Sequence, residues 1–199
     1  MKSPTATPRR YRMVARAEAA AATGERILDA AVEAFWESPA DVSLGEVARR
    51  AGVSVQTVIR HFGGRDGLTA AAVEREVQRV GEQRGQAPVD DAAGAVRVLV
   101  DHYEEMGDRV LKMLAEEERV PGLRAIADRG REAHRRSCAR VFAGALRGLD
   151  GVERQRRLAQ LVAICDVYTW KLLRRDSGLS RRQTELAMVE LLEPILEGS

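Results

Sequence analysis

The stretch from Val47 to Phe62 constrains the fold of this chain most. Leu44, Val47, Ala48 and Ala51 recur at helical spacing and give a first helix one apolar face. Gly52 supplies the left-handed residue that stops it, and Ser54 is a strong N-cap for a second helix. Val58 and Phe62, four apart, turn that second helix's apolar side back onto the first. Two short helices across a glycine turn form a helix-turn-helix, the arrangement that lays its second helix in the major groove of DNA. Between Glu46 and Asp66 there is no acidic residue, while Arg49, Arg50, Arg60 and Arg65 are all present. Such a local basic balance suits a polyanionic partner. A buried helical hairpin with a solvated basic face is the competing reading, and it leaves the shared register of glycine, cap and apolar spacing unexplained.

The remainder of the 199 residues reads as all-α. Aromatic residues are only 4%, and no Val/Ile/Thr-rich run alternates with period two over a strand length. The length is enough to bury a core, as one large domain or as a small and a larger one. Cys138 and Cys165 lie far apart in helical patterns, outside any Cys-x-x-Cys motif, and read as small buried residues of a reducing cytosol. No stretch approaches transmembrane length. Arg9-Arg10 is followed by charged residues rather than an apolar segment, so an export signal is not expected. The expectation is a cytoplasmic protein without a membrane partner.

Taken in order, residues 1–20 read as a basic flexible arm, with Lys2, Arg9, Arg10, Arg12 and Arg16 against Glu18, and with Pro4 and Pro8 keeping its start non-helical. It is either a solvated tail or an arm for the minor groove. Residues 21–67 form the DNA-binding domain, opened by a helix from Thr23, its cap, to about Trp36, with Ile27, Ala31 and Phe35 on one face. Ser43 caps the next helix. Residues 68–199 form a larger helical domain. A connecting helix starts at Asp66 or Thr69, reaches about Arg84 and is broken by Gly85-Gln86-Ala87-Pro88. Further helices are expected over Ala92 to Glu105, Arg109 to Glu118, Ile126 to Leu146, Val152 to Arg175 and Arg181 to Leu196, with Pro194 kinking or ending the last.

The run from Leu158 to Leu173 is apolar around nearly its whole circumference, where a helix packed on one side needs only a stripe. Either both faces are covered within the chain, or this helix and the last one build a four-helix interface between two copies. On the second reading the interface carries Leu158, Leu161, Cys165, Leu172, Leu186, Val189 and Ile195.

Three motifs occur in order: Ile27-Leu28-Asp29-Ala30-Ala31 with Phe35, then Ala51-Gly52-Val53-Ser54, then Ile59-Arg60-His61-Phe62 with Arg65 and Leu68. Over roughly residues 23–70 the chain resembles the TetR family of bacterial transcriptional regulators. The resemblance implies an N-terminal three-helix bundle with a helix-turn-helix, a divergent helical ligand-binding domain and a dimer interface in the last two helices. It further implies a repressor that binds palindromic operator DNA as a homodimer and is released by a small-molecule effector. Two positions depart from the family pattern. Ile59 stands where a tyrosine usually touches the DNA backbone, and Arg65 where a lysine does. The second exchange keeps the charge and adds donors.

Helical spacing places Gln56 and Arg60 nearly opposite Val58, with Thr57 beside them. Gln56, Thr57 and Val55 are the candidates for base edges, Ile59 for sugar or a thymine methyl, and Arg60 for a base or a phosphate. Ser43, Ser54, His61 and Arg65 are candidates for phosphate. No catalytic residue, metal or cofactor is expected: the histidines His61, His102 and His134 sit in no zinc-hydrolase motif, the adjacent Asp101 and His102 of the group Asp101, His102 and Glu105 point to different sides of a helix, and there is no phosphate loop or nucleophile elbow. The alternative is a helical small-molecule-binding protein or enzyme with a degenerate helix-turn-helix. Candidate ligand residues are His102, Tyr103, Met106, Met113, His134, Phe142, Tyr168 and Trp170, each of which serves equally well as ordinary core.

Overall fold

The computed structural model describes residues 8–38, 42–120 and 122–197, and every regular element among them is helical, as the composition implied. In chain order these are α1 (Pro8–Glu37), α2 (Leu44–Ala51), α3 (Val55–Phe62), α4 (Arg65–Gly85), α5 (Ala92–Glu116), α6 (Leu123–Val141), a 3-10 turn (Gly144–Leu146), α7 (Gly151–Ile164), α8 (Val167–Lys171) running into a π turn (Leu172–Asp176), and α9 (Arg181–Glu197). The chain packs as two units that divide between Glu76 and Val77, within α4.

In the first unit Ile27, Val47, Val58 and Leu68 are the large buried residues, and alanines of α1 and α2 fill the space between them. α1 starts earlier than the sequence suggests. Thr23 does not cap it: its hydroxyl donates to the Ala19 carbonyl at 2.8 Å, the bond a threonine makes inside a helix. Pro8 is the first helical residue, where the missing N–H has no partner to lose. The expected arm falls partly outside the described residues, which leave out residues 1–7 and the side chains of Arg9, Arg10 and Arg12.

The caps around the helix-turn-helix form as the sequence implies. Ser43 Oγ accepts from the Glu46 N–H and Ser54 Oγ from the Thr57 N–H, both at 3.2 Å, while Gly52 takes φ 66°. Ser43→Ala should lower the stability of this unit by about 1 kcal/mol. Urea unfolding followed by circular dichroism would measure it, and an unchanged midpoint would deny the cap any energetic role.

The second unit packs around α5, with Val96, Val100, Leu161, Trp170, Met188 and Leu192 buried. Here the structure corrects three expectations. α5 is one helix rather than two and runs through Gly107, where a Cβ would lie 2.5 Å from Trp170 Cζ3, so the glycine is the seat of the indole ring. The expected helix from Val152 to Arg175 is instead broken, since Asp166 accepts from the Tyr168 N–H at 3.0 Å and caps a new helix. The apolar sleeve is therefore two stripes, Leu158 and Leu161 on α7 and Val167 and Trp170 on α8, bent onto one core. α6 ends at Val141 rather than near Leu146. α9 keeps close to its expected span, running through Pro194 to Glu197. Its start is held by a capping box, Ser180 Oγ accepting from Gln183 N–H at 3.3 Å and Gln183 Oε1 from Ser180 N–H at 3.0 Å.

Candidate nucleic-acid interface

Val58 is fully buried, and this fixes the rotation of α3. Val55, Gln56, Ile59 and Arg60 then lie exposed on the outer side, with Ser54 at its start and Arg65 just beyond its end. Val55 and Ile59, 40% and 37% exposed, leave an apolar strip four residues apart beside the polar Gln56 and Arg60. A surface of one amide, one guanidinium and two branched aliphatic groups can meet adenine, guanine and thymine methyls respectively.

Thr57 is placed differently from its neighbours. It is half-buried, and its hydroxyl lies 2.9 Å from Ser54 Oγ, inside the N-terminal cap of α3. His61 is half-buried too and turns toward α1, where a Cβ on Gly24 would stand 3.7 Å from its Nδ1. Ser43 is exposed at the start of α2 with its Oγ already accepting from Glu46.

The basic window is narrower than the sequence implied. Arg49 pairs with Glu46 at 2.7 Å, and Arg50 bridges Glu46 and Glu37, each at 2.6 Å. Hydrogen bonds from Arg49 and then Arg50 hold the Glu46 carboxyl down at about 2. Both arginines are thus neutralised by acids that flank the window. Among the described residues no ion pair involves Arg60 or Arg65, and these two carry the net positive charge at this face.

Residues 27–72 match the pattern of the bacterial regulatory proteins of the tetR family. Over these residues the chain is similar to the TetR family. An HTH-type transcriptional regulator of Mycobacterium tuberculosis is 40% identical over 77 residues, a match that spans 38% of this chain and 38% of that protein. Similarity to solved structures extends over the whole fold: a transcriptional regulator from Rhodococcus (TM-score 0.63, 23% identity, 88% of this chain and 96% of that one), a TetR-family regulator from Streptomyces coelicolor (0.62, 18%, 86% and 81%), and NalD, the secondary repressor of the MexAB-OprM efflux pump in Pseudomonas aeruginosa (0.55, 22%, 90% and 97%).

In the larger unit the sequence-predicted ligand residues separate into three groups. His134 and Phe142 line a cavity of about 30 Å³, room for a water molecule or two, together with Arg84, Leu99, Val141 and both cysteines. His102, Tyr103, Met106, Met113 and Trp170 are buried core. Tyr168 is 53% exposed, on the opposite side of α8 from Trp170. The Asp101, His102 and Glu105 group is dispersed: Asp101 pairs with Arg181, His102 Nδ1 donates to Gln83 Oε1 at 2.9 Å, and Glu105 lies 3.3 Å from Arg79. Among the described residues no group of three His, Cys, Asp or Glu side chains is placed to hold a metal, and no helix is long and apolar enough to cross a membrane.

Two features of the cavity escaped the sequence. Arg84, read as the tail of a connecting helix, turns its guanidinium inward to His134 Nδ1 at 2.9 Å. Cys138 and Cys165 meet across α6 and the end of α7. Their mutual hydrogen bond lowers the Cys138 pKa, and the same bond together with burial raises that of Cys165. Nothing in their sequence separation signals this pairing.

The predicted dimer residues also divide. Leu158, Leu161 and Cys165 are buried in their own chain, so their side chains have no surface left for a partner. Leu172 and Leu186 are 58% and 57% exposed, and Val189 and Ile195 half-buried. Leu191, not picked out from the sequence, is also exposed on α9.

Proposed function

We propose that this protein is a transcriptional repressor that binds a palindromic operator as a homodimer, in the cytoplasm, and releases it when a small-molecule effector enters the larger unit. The observation that carries the reading is the α2–Gly52–α3 element, with Val58 buried on one side and Gln56, Ile59 and Arg60 exposed on the other. In this reading Gln56 and Arg60 reach base edges, Val55 and Ile59 meet thymine methyls or sugar, and Ser43, Ser54 and Arg65 hold phosphates. Thr57 and His61 act mainly by fixing the ends of α3, through the Ser54 cap and the contact with α1. Tyr168, Leu172, Leu186 and Leu191 supply exposed apolar surface on the last helices for an isologous contact with a second copy.

The test begins with a genomic footprint of the purified protein, which yields an operator for fluorescence anisotropy. Gln56→Ala should weaken operator binding by about 1–3 kcal/mol and relax the preference at one base position in each half-site. Arg65→Ala should weaken binding to all sequences alike and reduce the salt slope by about one unit. Wild-type binding that shows no sequence preference and no salt dependence would sink the reading in favour of a helical binding protein or enzyme that makes no use of its helix-turn-helix on DNA.

A further inference from the structure

Arg84 lies near the C-terminal end of α4 and faces the cavity of the second unit. Its Nη1 donates to His134 Nδ1 at 2.9 Å, its Nη2 is 3.5 Å from the Tyr103 hydroxyl, and the guanidinium sits 5.7 Å over the Tyr103 ring. Its Nε is buried with no hydrogen-bond partner. Among the described residues no carboxylate pairs with it.

A guanidinium keeps its proton and offers donors in a rigid fork. His134 provides no counter-charge. Since Nδ1 accepts from Arg84, Nε2 is the protonated nitrogen and donates to the Val162 carbonyl at 3.2 Å, so the ring is neutral. His102 reports the same imbalance: burial first, then the positive charges of Arg84 and Arg79, keep it from protonating. Arg84 is half-buried, and the side-chain acceptors it meets, His134 and Tyr103, are not carboxylates. The Nε and Nη2 edge is the one that pairs side-on with a carboxylate. The cavity that Arg84 lines is otherwise mostly apolar, with Ala95 and Leu99 on α5 and Val141 and Phe142 at the end of α6.

We propose that this cavity binds a small apolar carboxylic acid in its anionic form, with the carboxylate on Arg84 and the tail between α5 and α6. The proposal rests on the reading of a small-molecule effector in this unit and names its chemical class. About 30 Å³ accommodates the head group only, so the tail enters by parting α5 from α6. Arg84 belongs to the helix that begins at Arg65, just past the recognition helix, so a ligand that draws on Arg84 acts on the segment joining the cavity to the head by one continuous backbone.

Isothermal titration calorimetry with octanoate and with octanol, which has the same chain length and no charge, tests this without DNA. Octanoate should bind roughly tenfold to a hundredfold more tightly than octanol, the range for a hydrogen bond to a charged group. Arg84→Gln should bring octanoate down to the octanol level, and Arg84→Lys, which keeps the charge but loses the fork, should fall between. Equal or tighter binding of octanol overturns the proposal, as does binding of neither compound, or unchanged octanoate binding by Arg84→Gln. The comparison of the two ligands on the unmodified protein decides the matter even where a variant fails to fold. Operator binding is measured separately, so failure of the ligand class is distinct from failure of the DNA-binding reading.

Discussion

Trp170→Ala should remove about 3–5 kcal/mol from the stability of the second unit. The indole is fully buried, lies against Tyr103 with ring centroids 5.8 Å apart, donates from Nε1 to Glu104 at 3.2 Å and is covered by the Arg175 guanidinium at 4.5 Å. Truncation leaves a large cavity at the crossing of α5 and α8 and strips Glu104 of one donor, though Arg174 at 2.8 Å still holds that carboxylate. The close approach at Gly107 supplies a second, sign-reversing measurement. In the wild type Gly107→Ala forces a Cβ to 2.5 Å from the ring and should cost about 1–3 kcal/mol. In the Trp170→Ala background the obstacle is gone, and the same substitution should stabilise by several tenths of a kcal/mol, since alanine is the better helix former. Denaturant unfolding of the four proteins gives the coupling. If Gly107→Ala were equally harmful in both backgrounds, the glycine would serve something other than the ring.

What the sequence disclosed, and what it hid, follows from how far each signal reaches along the chain. The helix-turn-helix is specified within a few residues: Gly52 for a left-handed backbone, Ser54 for a cap, Val58 for the buried side. Those are short-range rules, and the structure obeys each of them. The same local logic failed where two short-range signals competed. Thr23 has the chemistry of a cap but satisfies its hydroxyl against Ala19, and helix continues upstream to Pro8. Asp166 sits inside an apolar run that periodicity reads as one helix, yet its carboxylate caps a new one, and the cap decides. Gly107 falls between the two helices that the sequence suggested, and only the position of a ring from another helix reveals its purpose.

The candidate sites divide along the same line. Exposure of Gln56, Ile59 and Arg60 follows from a single helix's period, whereas the pairing of Arg49 and Arg50 with Glu46 and Glu37 depends partly on an acid in α1 that no window around the turn includes. The cavity is less legible still. Arg84, His134, Cys138 and Cys165 come from three helices, and nothing local distinguishes an arginine that turns inward from the many that face solvent. Among the dimer candidates, Leu158, Leu161 and Cys165 are buried in their own chain for a related reason: the bend at Asp166 turns the apolar faces of α7 and α8 onto one core.

The second unit should lose stability in acid through His102, and His102→Gln should remove that loss. The imidazole is buried on α5, with Nδ1 donating to Gln83. Burial, then the charges of Arg84 and Arg79, hold its pKa down at about 3 from an ordinary value near 6.5. Between those two values the unfolded chain binds a proton that the folded chain refuses, so stability rises with pH across that window. His102 therefore costs the fold nothing above about pH 6.5 and progressively more as the pH falls toward 3. By pH 4 the loss is about 3 kcal/mol relative to pH 7. Glutamine can keep a hydrogen bond to Gln83 and has no proton to gain, so the variant should follow the wild type at pH 7 apart from a constant offset and surpass it at pH 4. Carboxylates titrate in the same range, but they are common to both proteins and cancel in the difference. Urea midpoints at pH 7, 5 and 4 would show the two curves crossing or converging. Parallel curves would mean that the imidazole is reached by solvent or opens with its α4 partners before the unit unfolds, and the charge imbalance around Arg84 would then lose its clearest consequence for folding.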